Sequence, residues 1–393
     1  MTNRTGVWVD LVGQTEAVAE LSAAASAAAG GTGGMTHAWL FTGPPGSGRS
    51  VVARSFAAAL QCTEGEGCGE CSGCHTAIAG THADVHIVEP EGLSIPVAQM
   101  RSLVQLAARR PSAGHWQVVI ISDADRLTEG AANALLKAVE EPPDRTVFLL
   151  CAPSDHPDDV SVTIRSRCRV INLRTPPAEA IAEVLTNRDG IDPETASWAG
   201  SVCGGHIGRA RRLAKDPEVR ERRESVLRIP GSLRRPADVF ACVDQLVGAA
   251  ESEASSMSAA RDDAEKAALR TAMGAGGSGK GTAAAERSAK SAERDLEKRQ
   301  KSRATRAQRD SLDLALVDLA GFYRDVLATK ATGAHVTLNH PDRARDSATL
   351  AGQLSAASAL RRIEAILDCR EAIELNVKPR IAVEAMLTTL QRG

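Results

Sequence analysis

Aromatic residues are scarce in this chain: one Tyr, five Phe and four Trp among 393 residues. The apolar share of 43% is therefore mostly Ala, Val, Leu and Ile, which suits packed helices and a buried parallel sheet. Long apolar runs are lacking as well. The strongest, around residues 118–121 and 147–152, fall far short of the ~20 residues needed to span a bilayer, so they read as buried strands and no membrane association is expected. No cationic start precedes the Ala-rich stretch 21–34; Asp10, Glu16 and Glu20 do, which argues against a secretory signal and for a cytoplasmic protein. Charge of one sign is missing too. With a net charge of -2 the molecule is no polycation, and any attraction to nucleic acid must come from local patches or from partners.

The length predicts two or three domains. From residue 37 to about 173, short β-rich runs alternate with helical patterns, the signature of a parallel sheet covered by helices. The expected strands are 37–42, 84–89, 116–121, 146–152 and 169–173, with helices at 50–60 and 131–141 among them. Thr175-Pro176-Pro177 marks a boundary, because consecutive prolines stop regular structure. A small helical unit follows, interrupted by Asp189-Gly190 and Gly204-Gly205. The division expected is 1–174 for the sheet domain, 175–225 for a helical lid and 226–393 for a helical collar.

Within the last part, residues 251–311 are Ala, Ser, Lys, Arg and Glu with few large apolar side chains. A solvated helical insert or a disordered tether is expected there. The pairs Glu286/Lys290, Asp295/Arg299 and Glu297/Lys301 are spaced to support a helix.

Gly43-Pro44-Pro45-Gly46-Ser47-Gly48-Arg49-Ser50 follows a predicted strand and opens a predicted helix, the setting of a phosphate-binding loop. Gly43, Gly46 and Gly48 let backbone N–H groups turn toward phosphate oxygens, and the helix start adds a favourable dipole. Arg49 stands where a lysine normally meets the terminal phosphates. Its broad planar fork does not fit a loop shaped around a compact ammonium, which weighs against ATP or ADP binding and more against hydrolysis. The strand 118–121 ends in Ser122-Asp123, where a working enzyme of this type carries two carboxylates for Mg²⁺ and water. A second cluster, Gly274-Ala275-Gly276-Gly277-Ser278-Gly279-Lys280-Gly281-Thr282, has no apolar strand before it and reads as a flexible linker.

Cys62, Cys68, Cys71 and Cys74 are spaced C-x5-C-x2-C-x2-C with glycines between them, the close, turn-rich pattern of a four-thiolate Zn²⁺ cage. Four thiolates leave no open position, so such an ion is structural; two disulfides are the alternative. Cys151, Cys168, Cys203, Cys242 and Cys369 are scattered and read as core residues.

The order of the phosphate loop, the four-cysteine module, the strand ending at Asp123, Asn133-Ala134-Leu135-Leu136-Lys137 with Glu140-Glu141-Pro142-Pro143, and Ser166-Arg167-Cys168 resembles bacterial clamp loaders of the AAA+ superfamily. The resemblance covers about residues 7–213, and Asn376-Val377-Lys378-Pro379-Arg380 with Glu384 resembles their collar. It implies an α/β fold: an AAA+ phosphate-loop sheet domain with a zinc module at 62–74, a helical lid and a helical collar. It implies that Arg167 is an arginine finger, pointing at the ATP of a neighbouring subunit, and that Val12 and Gln14 line the adenine side of the chain's own site. Implied partners are tau/gamma and delta clamp-loader subunits, the sliding clamp and primer-template DNA. Arg49, Ser122-Asp123, Ala152-Pro153 at the first sensor and Gly208 at the second point to a member with little ATPase of its own. An active motor ATPase tolerating Arg49 is one competing reading. A zinc-containing nucleic-acid-binding module with a basic face of Arg209, Arg211, Arg212 and Lys215 is another.

Overall fold

A computed structural model describes residues 6–31, 34–90, 92–272, 282–332 and 337–393, the side chains of 260, 270–272 and 282–291 excepted. The chain divides into two compact units, residues 1–214 and 215–393. The expected linker at 274–282 falls, up to residue 281, outside the described residues, and the side chains of the Glu286/Lys290 pair also lie outside them.

In the first unit the elements run α1 (Thr15–Gly30), β1 (Ala38–Thr42), α2 (Arg49–Leu60), α3 (Ser72–Ala79), β2 (Val85–Val88), α4 (Val97–Ala107), β3 (Gln117–Ile121), α5 (Glu129–Glu140), β4 (Thr146–Ala152), α6 (Val162–Arg165), β5 (Arg169–Asn172), α7 (Ala178–Asn187), α8 (Pro193–Val202) and α9 (Ile207–Lys215). The five strands form one sheet in the order β2-β3-β4-β1-β5, and every pairing is parallel. The expected α/β sheet is present, with each strand within a residue or two of its expected span.

The runs β1, β3 and β4 are buried along their whole length because they are the interior strands, covered on both faces. Side chains alternate between two cores. Trp39, Phe41, Val118, Ile120 and Leu149 pack with Leu21 of α1 and Phe56 of α2, and the Trp39 and Phe56 rings meet edge to face at 5.1 Å. Leu40, Val119, Ile121, Phe148 and Leu150 pack on the other face with Met100 of α4 and Leu135 of α5. Helix starts are set by side-chain caps: Thr128 Oγ1 accepts from Ala131 N–H at 3.3 Å, and Asp192 Oδ1 accepts from Thr195 N–H at 2.9 Å.

The second unit is helical: α10 (Pro217–Ser232), α11 (Pro236–Ala272), α12 (Thr282–Thr332), α13 (Ala344–Gln353), α14 (Ala356–Glu374) and α15 (Pro379–Arg392). Asp216 caps α10 by accepting from Glu218 N–H at 2.9 Å, and a new helix starts there. The core joins Val243 and Leu246 of α11, Leu312, Leu316 and Leu319 of α12, Ile366 of α14 and Val383 and Leu387 of α15.

The described part of 251–311 is helical and belongs to α11 and α12, which pack antiparallel. The expected pairs within one helix are not what joins them: among the described residues Asp295 lies 3.9 Å from Lys298, while Arg303 reaches across to Asp262 at 2.9 Å and Glu265 at 3.0 Å. Gln300 Nε2 donates to Asp262 O at 3.0 Å and Gln308 Nε2 to Glu251 at 3.1 Å. Within 251–311 these polar contacts, beside the buried Ala254 and Leu296, extend the apolar packing that joins the two helices nearer the core.

Candidate functional site

The phosphate loop leaves the C-terminal end of β1 where the sheet's strand order turns back on itself, since β1 lies between β4 and β5. Ligands of open parallel sheets bind at such a point. Loop and helix start form here because Gly46 (φ 89°) and Gly48 (φ 91°) hold left-handed conformations that open α2 at Arg49. Space also demands glycine. A Cβ on Gly43 would sit 2.6 Å from both Leu173 O and Ser47 Oγ, and one on Gly46 would sit 2.8 Å from the Cα of His206.

Gln14 is buried, and its amide ties the loop to the end of β5: Nε2 donates to Ser47 O at 3.2 Å and Arg174 O at 2.6 Å, and Oε1 accepts from Arg174 N–H at 3.2 Å. Val12 is buried beside it in the sequence. Ser47 Oγ is buried with no hydrogen-bond partner. Ser50 is exposed and Arg49 half-buried. Gly43 N–H donates to Pro153 O at 3.2 Å, so the position after β4 serves the loop through its backbone.

Two residues outside the sequence reading belong to this site. His206, just before α9, backs onto Gly46, and its ring Nδ1 accepts from Arg209 N–H at 3.2 Å. Burial, with Arg209, Arg212 and Arg49 nearby, holds its pKa below the usual histidine range, so the ring is neutral at neutral pH. Asp125 is pushed up by burial and by Asp123, an effect that Arg126 and Arg49 oppose. Arg49 thus shares a field with Asp123, Asp125 and the buried Cys151, whose thiol burial pushes up to about 12. The only sequence signal for His206 is the Gly204-Gly205 pair before it, and for Asp125 its spacing from Asp123.

Arg167 lies just after α6. Its Nη1 donates to Thr163 O at 2.9 Å and Ser166 Oγ at 3.2 Å, and its Nη2 pairs with Glu140 at 2.7 Å. Of the basic residues expected to form a nucleic-acid face, Arg211 is drawn into a 2.6 Å pair with Asp189, and Arg209 and Arg212 also have partners.

Cys62, Cys68, Cys71 and Cys74 converge: their Sγ atoms all lie within 4.8 Å of one another. Cys62 and Cys68 are 3.7 Å apart at sulfur, close to the ~3.8 Å edge of a tetrahedron with Zn–S bonds of about 2.3 Å. Backbone N–H groups point at the sulfurs, from Cys68 to Cys62 at 3.3 Å, from Cys71 to Cys68 at 3.4 Å and from Cys74 to Cys71 at 3.4 Å, which favours thiolate. The donor set fits a metal ion such as zinc. All nine cysteines are free thiols. The 12 residues of α2, about 18 Å at 1.5 Å each, separate the cluster from the phosphate loop, so an ion there is remote from any phosphate chemistry.

Gln61, the residue before the cluster, accepts from His115 N–H at 2.9 Å and donates to Trp116 O. The same connection is gripped by buried Asp84, which accepts from Ser112 N–H at 2.8 Å and from Ala113 and Gly114 N–H at 2.7 Å each. The surroundings of the cysteine cluster and the sheet are thereby one piece.

Residues 13–177 match a family described as DNA polymerase III, delta subunit. The chain is 33% identical over 197 residues to the DNA polymerase III subunit delta' of Bacillus subtilis, covering 50% of this chain and 59% of that protein. It is 36% identical over 204 residues to the delta' subunit of Pseudomonas aeruginosa, covering 50% and 61%. It is also 33% identical over 186 residues to the gamma/tau subunit of Mycobacterium bovis, covering 46% of this chain and 31% of that one. The match thus spans about three fifths of the two delta' relatives. Among the described residues no helix is long and apolar enough to cross a membrane. Taken with the parallel sheet, the phosphate loop and the cysteine cluster, these matches make the first half of the chain similar to DNA polymerase III delta' subunits.

Proposed function

We propose that the chain is a stator of the bacterial clamp loader: it has little ATPase of its own, completes the ATP site of a neighbouring tau/gamma subunit with Arg167, and helps place the sliding clamp on primer-template DNA. The observation that carries this reading is the setting of Arg167. Its guanidinium is oriented by Thr163 O and Glu140, yet 38% of the side chain is exposed, so it can face a phosphate on another subunit. Arg49, Ser122-Asp123 and the contact of His206 on Gly46 support a weak site of the chain's own. The lid at 175–225 and collar at 226–393 are proposed to join it to tau/gamma and delta. The cysteine cluster is proposed to hold one structural Zn²⁺, four thiolates leaving no position for water.

The test is clamp- and DNA-stimulated ATP hydrolysis by the reconstituted loader with this chain or its Arg167→Ala form, assembly being checked in both. A loss on the order of 10³ at the completed site is expected; an unchanged rate in an intact assembly sinks the mechanism. The gamma/tau match favours, as a second reading, an active motor. Turnover of ATP by the purified chain at a motor-like rate, about 1 s⁻¹ or more, would establish that reading instead.

A further inference from the structure

All five strands run the same way, so the phosphate loop lies at their C-terminal ends. A second concavity opens at their N-terminal ends, beside the cysteine cluster. Its volume is about 640 Å³, within the range that seats a large side chain or small ligand. The lining is mixed: Ala25 and Ala28 of α1, Met35 and Leu60 are aliphatic, and with Trp116 it also includes Glu64, His115 and Arg145.

Arg145 is held there at a conformational cost. It occupies the third position of the turn closed by Thr146 N–H donating to Pro143 O at 3.2 Å, with φ 56°, where glycine is the comfortable residue. Its carbonyl accepts from Gln117 N–H at 2.8 Å, and Gln117 Nε2 donates to Arg110 O at 3.4 Å, so the ends of two connections meet at the start of β3. Arg109, Arg110, His115 and Arg145 are all exposed at this edge, and among the described residues none of these four side chains has an ion-pair or hydrogen-bond partner. Most other arginines of the unit are paired. Arg54, Arg165, Arg167, Arg169, Arg188 and Arg211 each meet a carboxylate.

An unpaired basic rim beside a partly apolar recess complements a segment of opposite charge that carries an apolar anchor. We propose that this recess docks an acidic peptide segment of a partner protein, one large apolar side chain entering among Ala25, Ala28, Met35 and Leu60 while carboxylates meet Arg145, His115, Arg109 and Arg110. Single-stranded nucleic acid fits less well. Sequential bases need a run of aromatic platforms, whereas this recess has one tryptophan and no other Phe, Tyr or Trp in its lining. The proposal depends neither on the phosphate loop nor on Arg167.

The experiment is fluorescence anisotropy with the full chain in low salt, using a fluorescein-labelled nonapeptide in which a central Trp is flanked by four Asp. The comparisons are the same peptide with Lys for Asp, the same peptide with Gly for Trp, and a dT nonamer. The acidic Trp peptide is expected to bind at least about tenfold more tightly than any of the three. Arg145→Gly relieves the backbone and removes the charge, so it should fold as well as the parent and bind at least about fivefold more weakly. Ala28→Phe, checked by circular dichroism and metal content, should fill the recess with a similar loss. Affinity indifferent to charge or anchor, no binding of the acidic peptide up to about 1 mM, or binding unchanged in both variants overturns the proposal. Tighter binding of the dT nonamer overturns it in favour of nucleic acid.

Discussion

Asp84 is the residue whose chemistry is most tightly determined. Burial alone would raise its pKa, but the N–H groups of Ser112, Ala113 and Gly114 outweigh that and hold it at about 2. Because the folded value is depressed below the ordinary ~3.9, the stabilisation is fully present above that pH and is lost as pH falls through about 2. The contribution is about 2.5 kcal/mol. Asp84→Asn should remove most of this acid-side slope and cost about 2–4 kcal/mol at neutral pH, read by urea unfolding between pH 2 and 7. Arg167 is the opposite case. Its pair with Glu140 is exposed at 38% and 40%, so Arg167→Ala should change stability by less than about 1 kcal/mol, and any loss of hydrolysis in an assembly then reports the guanidinium's role rather than misfolding. Sequence alone announced the glycines of the loop and the four cysteines, because each obeys a local spacing rule. It was silent on His206, whose contact with Gly46 spans distant parts of the chain, and on Glu140 as the partner of Arg167.

At the scale of elements, strands were legible where burial on both faces makes the apolar run continuous, as in β3 and β4. The hairpin of α11 and α12 was not. Its residues between 251 and 311 are small or charged, so no apolar stripe declares which face meets a neighbour, and pairs within one helix looked as plausible as the pairs across two. Glu265 is pulled down to about 2, chiefly by its hydrogen bond to Arg303. With side chains only 20% and 27% exposed, this contact is partly shielded from solvent. Arg303→Ala removes the cation that joins Asp262 and Glu265 to the facing helix and leaves Glu265 paired with Arg261 of its own helix, at 3.0 Å. It should raise amide exchange in the flanking turns of both helices and cost about 1–3 kcal/mol, most of it persisting in 1 M salt; an effect abolished by salt would make the contact an ordinary surface pair.

For the whole molecule, two compact units predict two separable unfolding transitions in calorimetry. Metal removal by a strong chelator should lower the transition of the first unit, where Gln61 and Asp84 bind the cluster's surroundings to the sheet, and leave the second where it was. A chelated protein with both transitions unmoved, and less than about one metal per chain beforehand, would mean that the thiols stand on their own. The order of the strands has a further consequence, for the nascent chain. Ala38 of β1 pairs with Phe148 of β4, and Trp39 pairs with Arg169 of β5, whereas β2 and β3 are near neighbours in the chain. At roughly 5–20 residues per second of synthesis, β1 leaves the ribosome on the order of 5–20 s before either partner exists. For that interval Trp39, Leu40 and Phe41 are an unclaimed strand, which makes this short segment, rather than the polar hairpin, the place where a chaperone or an aggregate would first take hold.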